Sequence, residues 1–206
     1  MRGLFITFEG LDGAGKTTQV NLLQKHLASI GRSVFSTREP GGTGVGEKVR
    51  AILKESSMAP MTELFLFYAS RVEHTERIII PLLERGEMVI CDRFVDSTLA
   101  YQVFGRGIER SVIETLNEIA VKNLKPDLTI LVDIDAEEAN NRAKKRSELD
   151  EIEKRKLAFY KDVSTGYRTI ATEEPERFLV VDGRESIEAV FNNILKRVAR
   201  LLGGTE

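Results

Sequence analysis

The sequence predicts an α/β protein with an open parallel β-sheet of about five strands and helices on both faces of that sheet. Short apolar runs rich in β-branched and aromatic residues alternate with segments of helical periodicity along the chain. The runs are almost continuously apolar, which is typical of strands buried on both faces of a parallel sheet. The 206 residues are 42% hydrophobic, enough for a sizeable core, and we expect one domain over residues 1–206.

Each predicted helix lies between two predicted strands or follows the last strand, as the crossovers of a parallel sheet require. The helices are indicated by apolar residues three or four positions apart. Gly31 comes just after the first helix, where glycine commonly ends one. The predicted strands cover residues 4–8, 33–37, 88–91, 128–132 and 178–181, and the predicted helices cover residues 20–30, 62–84, 112–120 and 187–202.

The composition excludes several classes of protein. The 30 basic and 32 acidic residues give a net charge of −2, which argues against a nucleic-acid partner. No apolar stretch approaches the roughly 18 residues of a membrane span. The single cysteine, Cys91, fits a reducing compartment, so we expect a cytoplasmic protein. The two histidines, His26 and His74, leave little material for a zinc site or a histidine-activated nucleophile.

The segment between the first strand and the first helix matches a phosphate-binding motif. The pattern Gly-x4-Gly-Lys-[Ser/Thr] is met by Gly10-Leu11-Asp12-Gly13-Ala14-Gly15-Lys16-Thr17, and Thr18 follows. Glycines let successive backbone N–H groups turn toward a polyphosphate, and the N-terminus of the next helix adds partial positive charge. We expect Lys16 to reach the β- and γ-phosphates of a nucleotide and the Thr17 hydroxyl to bind Mg²⁺.

A second polar element follows the strand at residues 88–91. This strand runs into a carboxylate, Asp92, and Arg93 comes next. Ligands of parallel sheets bind at the carboxyl ends of strands, so both side chains are expected beside the phosphate loop. Asp92 is therefore a candidate to organise Mg²⁺. The alternative is a surface ion pair between Asp92 and Arg93.

Two further features indicate a site for a second, phosphorylated substrate. Residues 37–43 form a glycine-rich loop after the second strand, and Arg38 in this loop is suited to hold a phosphate through two hydrogen bonds. Phe67 and Arg71 are four residues apart on the long predicted helix and therefore share one face. A ring that stacks and a guanidinium that bonds to a base edge would together hold a nucleobase. The alternative for Phe67 is an ordinary core position among its apolar neighbours.

With these motifs the chain resembles the thymidylate kinase family over nearly its whole length. The resemblance rests on residues 9–18, 37–43, 67–71, 92–102 and 142–152. Together they are far more specific than the phosphate loop, which many NTPases share. The resemblance implies a P-loop nucleotide kinase fold with a mobile lid. It also implies that a homodimer transfers phosphate from ATP, with Mg²⁺, to dTMP, giving dTDP.

The resemblance also assigns roles around the acceptor phosphate. Asp12 would lie near the 3′-hydroxyl of the acceptor sugar and the metal site. Arg38 and Arg93 would hold the phosphate of dTMP.

Further implied roles concern the base and sugar of dTMP. Thymine would stack on Phe67, and Arg71 and Thr98 would bond to its edge. Tyr101 would pack under the deoxyribose and disfavour a 2′-hydroxyl, with Gln102 nearby.

The segment 142–156 is basic, with seven basic against four acidic residues in a chain that is negative overall. Its pattern alone fits a solvated helix face with i,i+4 pairs equally well. The family supplies a catalytic arginine either from the phosphate loop or from the lid, and residues 11–14 contain no arginine. The resemblance therefore implies a lid at about residues 142–153, in which Arg142 or Arg146 contacts the transferred group.

Other classes stay open at this point. A different nucleotide or deoxynucleoside kinase would share the phosphate loop and Asp92–Arg93, although the loop at 37–43 favours a monophosphate acceptor over an uncharged nucleoside. A GTPase switch should carry the motif Asn-Lys-x-Asp, which Asn-Leu-Lys-Pro-Asp at residues 123–127 does not match. A purely structural α/β module is hard to reconcile with Lys16 at its place in the motif.

Overall fold

The computed structural model describes residues 2–122, 124–143 and 151–203. Its strands are β1 (Phe5–Glu9), β2 (Val34–Arg38), β3 (Met88–Asp92), β4 (Leu128–Asp133) and β5 (Phe178–Asp182). They form one sheet in the order β2-β3-β1-β4-β5, and every neighbouring pair is parallel. The predicted fold class and all five predicted strands are therefore confirmed.

Helices cover both faces of the sheet. The helices are α1 (Lys16–Ser29), α2 (Gly44–Glu55), α3 (Pro60–His74), α4 (Ile80–Glu84), α5 (Val95–Thr98), α6 (Arg110–Val121), α7 (Ala136–Ala143), α8 (Glu151–Glu173) and α9 (Ile187–Leu201). Two π-helical segments continue them, Thr75–Ile79 between α3 and α4 and Leu99–Gly105 after α5. Within the described ranges, no helix is long and apolar enough to cross a bilayer.

All four predicted helices are present, and the long one at 62–84 is α3, the π-helical segment and α4 in succession. The periodicity does not indicate α2, which begins at Gly44 and includes Gly46, because glycine is unfavourable inside helices. A threonine cap stabilises the start of α2 despite these glycines: the Gly46 N–H donates to Thr43 Oγ1 at 2.9 Å. The loop at 37–43 thus leads directly into a helix.

The side chains of β1 alternate between two apolar clusters, one on each face of the sheet. Ile6 and Phe8 belong to the cluster that includes buried side chains of α1, α8 and α9. Phe5 belongs to the cluster that includes buried side chains of α3, α4 and α6. The sheet is therefore covered on both faces, which explains why its central strands are almost continuously apolar.

The parallel pairing brings three loops to one edge of the sheet. Residues 10–15 follow β1, residues 39–43 follow β2, and Arg93 follows β3. Because Phe8 pairs with Asp92 and Arg38 also pairs with Asp92, the three strands end at nearly the same level. The side chains singled out from the sequence therefore converge at this edge.

Candidate active site

The phosphate loop has a backbone that requires glycine. Gly10, Gly13 and Gly15 have φ angles of 134°, 85° and 100°, which side-chain-bearing residues rarely adopt. At Gly10 a Cβ atom would also lie 2.4 Å from the Val132 carbonyl oxygen. The loop is thus tightly set between β1 and β4 and ends where α1 begins at Lys16.

Lys16 turns back over the loop that precedes it. Its Nζ donates to the carbonyl oxygens of Gly10 at 3.0 Å and Leu11 at 2.8 Å. Its side chain is buried, and burial lowers the pKa of the ammonium group to about 8. The ammonium is therefore desolvated and held at the centre of the loop, where a phosphate oxygen would be its natural partner.

Thr17 and Asp92 form the pair of oxygen donors expected for a magnesium site. The Thr17 hydroxyl donates to Asp92 Oδ2 at 2.9 Å, across the boundary between α1 and the end of β3. Both residues, with Thr18, line a pocket of about 340 Å³ in front of the phosphate loop. We call it the loop pocket.

A second pocket of about 270 Å³ lies beside the loop pocket. Three aromatic rings line it, those of Phe67, Phe94 and Tyr101, and we call it the aromatic pocket. Four residues line both pockets: Asp12, Glu39, Arg50 and Arg93. The two pockets are therefore adjacent parts of one cleft.

Arg93 stands at the boundary between the two pockets. Its φ of 73° is uncommon for a residue with a side chain, and such strain concentrates at functional sites. Its guanidinium donates to Asp12 Oδ1 at 2.8 Å and to Tyr167 Oη at 2.9 Å, and it lies 5.1 Å from the ring centre of Tyr101. These contacts fix a permanent positive charge at the point where the two pockets meet.

The predicted base-binding residues line the aromatic pocket. Phe67 is half-buried and faces this pocket instead of packing in either core cluster. Thr98 and Tyr101 line the pocket as well. The structure thus brings Phe67, Arg71, Thr98 and Tyr101 together.

Arg71 is almost completely buried, with 2% of its surface exposed. Its Nε donates to Glu39 Oε2 at 2.8 Å, and its Nη2 donates to the Phe94 carbonyl oxygen at 3.0 Å. Its Nη1 has no hydrogen-bond partner within the described residues. A buried donor without a partner is costly, and a ligand in the aromatic pocket could satisfy it.

Two predicted acceptor residues lie outside the aromatic pocket. Arg38 lines the loop pocket, and its Nη2 donates to both carboxylate oxygens of Glu47 at 2.9 Å. Gln102 is buried, and its Nε2 donates to Glu63 Oε1 at 2.7 Å. The same carboxylate accepts from Arg106, so Gln102 helps to tie the segment after α5 to α3.

Arg50, Glu9 and Tyr167 are among the site residues that were not singled out from the sequence. Arg50 lines both pockets, but it lies on α2, a helix that the periodicity does not indicate. Glu9 is buried at the end of β1, where it accepts hydrogen bonds from the Phe94 N–H at 2.7 Å and the Ser97 hydroxyl at 2.5 Å. Tyr167 of α8 donates to the same carboxylate at 3.1 Å. A carboxylate at the end of an apolar strand is the one signal that could have indicated Glu9.

Of the predicted lid, the structure describes Arg142 at the end of α7. Its Nη1 donates to the Gly183 carbonyl oxygen at 2.8 Å, and its Nε donates to Glu138. Gly183 lies against the phosphate loop, since a Cβ there would come within 3.1 Å of the Ala14 carbonyl oxygen. Arg142 thus contacts a residue that packs against the phosphate loop, but it lines neither pocket. Arg146 lies outside the described residues.

A nucleotide on the phosphate loop would have its phosphates next to the aromatic pocket, which is lined by aromatic rings and arginines. Two substrate sites joined in this way on a parallel α/β sheet define a P-loop nucleotide kinase. Comparisons with known proteins agree with this class. The family model described as thymidylate kinase matches residues 8–194.

Named relatives cover nearly all or all of the chain. A thymidylate kinase of Pelobacter propionicus is 46% identical over 205 residues, covering 95% of this chain and 94% of the relative. One of Caldanaerobacter subterraneus subsp. tengcongensis is 45% identical over 208 residues, covering 100% of both chains. The crystal structure of thymidylate kinase from Ehrlichia chaffeensis matches with a TM-score of 0.80 at 37% identity, covering 96% of this chain and 99% of that one. The chain belongs to the thymidylate kinase family, and it is a phosphotransferase.

Proposed function

We propose that the chain transfers the γ-phosphoryl group of ATP to the phosphate of dTMP, with ATP in the loop pocket and dTMP in the aromatic pocket. The observation that carries this proposal is the shared boundary of the two pockets, formed by Asp12, Glu39, Arg50 and Arg93. Phosphates entering from both sides would meet at this boundary. Two arginines there supply the positive charge that such a meeting requires.

The lining of the aromatic pocket supports dTMP as the acceptor. Phe67 offers a ring for stacking, and the unpartnered Nη1 of Arg71 is a donor for an acceptor oxygen on the base edge. Thymine carries a carbonyl oxygen where cytosine carries an amino group, so this donor would favour thymine. Thr98 is a further polar contact, and Tyr101 would crowd the position of a 2′-hydroxyl.

The reaction needs positioning and charge neutralisation more than it needs a base. The attacking atom is a phosphate oxygen that is already anionic, so no general base has to remove a proton. Lys16 and the backbone N–H groups of the phosphate loop would hold the donor phosphates, and Arg93 would neutralise charge at the transferred group. The role of Arg38 would be to hold the acceptor phosphate from the loop-pocket side.

The residues present fit a magnesium ion. Thr17 Oγ1 and Asp92 Oδ2 are oxygen donors 2.9 Å apart, and oxygen is the ligand type that Mg²⁺ prefers. We propose that Thr17 and Asp92 hold the ion, with the Asp12 carboxylate as a further candidate in the same pocket. When bound, Mg²⁺ neutralises charge on the phosphoryl oxygens.

For the lid, we propose that residues 142–153 cover the donor side of the cleft and supply a catalytic arginine. The hydrogen bond from Arg142 to the carbonyl oxygen of Gly183, a residue that packs against the phosphate loop, supports this proposal. Arg146 is the second candidate for the same role.

We also propose a homodimer that works in the cytoplasm. Phe65 on α3 and Ile119 on α6 are large apolar side chains with 56% and 68% of their surface exposed. Helices α3 and α6 pack against each other, so both residues belong to one helical layer. The buried free thiol of Cys91 fits a reducing compartment. Size-exclusion chromatography with light scattering should give a dimer mass for the wild type and a monomer mass for Phe65→Glu.

A panel of acceptors tests the proposed activity. Purified protein with ATP and Mg²⁺ is offered dTMP, dUMP, dCMP, AMP and thymidine, and ADP formation is followed in each case. We expect dTMP to give the highest kcat/KM and thymidine to be inactive. If another monophosphate gave the highest kcat/KM, that nucleotide would be the acceptor instead of dTMP. ATP hydrolysis that does not depend on any acceptor would favour a nucleotide-driven switch.

A further inference from the structure

A chain of four polar side chains links β2 to helix α3 behind the aromatic pocket. Thr37 Oγ1 lies 2.8 Å from His74 Nε2, and His74 Nδ1 lies 3.0 Å from Glu39 Oε1. The other oxygen of Glu39 accepts from Arg71 Nε at 2.8 Å. Glu39, Arg71 and His74 are each at most 4% exposed. His74 lines neither pocket, so it has no direct contact with a substrate there.

This chain determines where the free edge of Arg71 points. With Nε on Glu39 and Nη2 on the Phe94 carbonyl, the planar guanidinium has one orientation, in which Nη1 is buried without a partner among the described residues while Arg71 lines the aromatic pocket. Glu39 can hold Arg71 in this way because His74 holds its second oxygen. Burial raises the pKa of Glu39, but the charge of Arg71 and the hydrogen bond from His74 outweigh burial and lower it overall. The carboxylate is thus kept ionised opposite Arg71.

The same face of α3 holds the loop that carries Arg38. Gly42 packs directly on the histidine, because a Cβ there would come within 2.6 Å of His74 Nε2 and of Thr37 Oγ1. One turn earlier, Ser70 Oγ accepts from the Gly41 N–H at 3.2 Å. His74 therefore contacts both ends of this loop, before and after Arg38.

A buried charge pair of this kind is weak support for stability, since well-packed apolar residues often serve as well. An apolar cluster, however, could not hold a guanidinium in a single fixed orientation. We propose that His74 is a positioning residue for acceptor recognition: it orients Arg71 through Glu39 and holds the 37–43 loop through Thr37. This role rests on the proposed function, in which Arg71 reads the base of dTMP.

The first test is the substitution His74→Phe, which keeps an aromatic ring and removes both hydrogen bonds. We expect KM for dTMP to rise about tenfold, the effect of losing a hydrogen bond to a charged group, while kcat and KM for ATP change by less than about twofold. The preference for dTMP over dCMP should fall as well, because a loosely held Arg71 rejects the amino group of cytosine less strictly. His74→Asn, which restores a donor toward Glu39, should recover part of the loss.

The matched control is His26→Phe, on the other histidine of the chain. His26 lies on α1, where its ring packs edge-on against Phe191 at 6.2 Å between ring centres. We expect the kinetic constants of His26→Phe to equal those of the wild type. A fall in kcat for His74→Phe with KM for dTMP unchanged would overturn the positioning role.

A double-mutant cycle separates action through Arg71 from an independent effect. If His74 acts by orienting Arg71, the double variant Arg71→Ala/His74→Phe should have nearly the same KM for dTMP as Arg71→Ala alone. Additive effects of the two substitutions on KM would contradict the proposal.

Thr37→Val covers the case in which His74→Phe fails to fold. It removes one hydrogen bond to His74 and leaves Glu39 and Arg71 intact, so we expect a smaller rise in KM for dTMP, about threefold. An unchanged KM in a folded Thr37→Val protein would overturn the role of His74 in holding the loop.

The outcomes distinguish this inference from the proposed function. If the wild type showed no preference for dTMP, or if Arg71→Ala left KM for dTMP unchanged, the proposed acceptor site would be wrong. If Arg71→Ala raised KM for dTMP while His74→Phe left it unchanged, only the positioning role of His74 would be wrong.

Discussion

Asp12 and Arg93 form an ion pair between two loops that follow different strands. Arg93 Nη2 lies 2.8 Å from Asp12 Oδ1, and both residues line both pockets. Asp12 follows β1 and Arg93 follows β3, and the parallel register of these strands pairs Phe8 with Asp92 and so brings the two loops side by side. The charge arrangement at the pocket boundary is thus a consequence of strand pairing.

Replacing Lys16 by alanine tests the phosphate loop. We expect Lys16→Ala to lose most of its turnover, about 100-fold or more in kcat, because it removes a positioned charge at the transferred phosphate. The fold should survive, since the partners of the desolvated ammonium among the described residues are two loop carbonyls. Steady-state kinetics measures the turnover, and a thermal melt shows whether the fold survives. Lys25→Ala, an exposed lysine on the same helix, is the control; turnover of Lys16→Ala equal to that of this control would refute the assignment.

Replacing Phe67 tests the base-stacking role. We expect Phe67→Ala to raise KM for dTMP by about 5- to 150-fold, the range that stacking energies of about 1–3 kcal/mol give, with KM for ATP nearly unchanged. Phe67→Tyr keeps the ring and should stay close to the wild type. Equal increases of both KM values in Phe67→Ala would take this residue out of the acceptor pocket.

Replacing Arg142 tests the donor side of the cleft. Arg142 is proposed to act in the lid, and it donates to Gly183, which packs against the phosphate loop, so we expect Arg142→Ala to lower kcat more than it affects KM for dTMP. The matched control is Arg197→Ala, since Arg197 also donates to a backbone carbonyl, that of Glu176, but lies on α9 and lines neither pocket. Arg146→Ala should show the same pattern if it is the second lid arginine. A change in KM for dTMP alone in both lid variants would argue against a role at the transferred group.

The sheet and the phosphate loop could be predicted because their signals are local. The strand at 128–132 is apolar except for Thr129 and is buried on both faces, and the phosphate loop has a fixed spacing of glycines before Lys16. Phe67 and Arg71 could be paired because a helix places residues four apart on one face. Each of these predictions needed only a short window of sequence.

The remaining parts of the site depend on contacts between distant segments. Tyr167 reaches Glu9 across 158 positions of sequence, and no local pattern of either residue indicates the other. Arg50 was missed because two glycines obscure the start of α2. Arg38 shows the opposite case: its sequence neighbourhood suggests a phosphate ligand, while its observed partner is Glu47, nine residues later.

Glu9 makes the stability of the protein depend on pH. Burial raises its pKa most, and the charge of Asp96 adds to this, so that the pKa reaches about 7 despite hydrogen bonds from Ser97 and Phe94 and the charge of Arg93. The unfolded chain releases this proton near pH 4.5, whereas the native protein keeps it until about pH 7. Between these values the native state binds more protons than the unfolded state, so its free energy of unfolding falls as the pH rises.

The substitution Glu9→Gln removes this titration and tests the sign of the effect. Chemical denaturation at pH 5, 6, 7 and 8, at one protein concentration, should show the wild type losing roughly 2–3 kcal/mol relative to Glu9→Gln as the pH rises, with most of the loss below pH 7. Glu109→Gln, at an exposed glutamate, should follow the wild type at every pH. If the curves of wild type and Glu9→Gln ran parallel over this range, Glu9 would titrate as an ordinary carboxylate. The network of Ser97, Tyr167 and Arg93 would then hold it ionised, because the stabilisation of the charged form by these partners would equal the cost of burial.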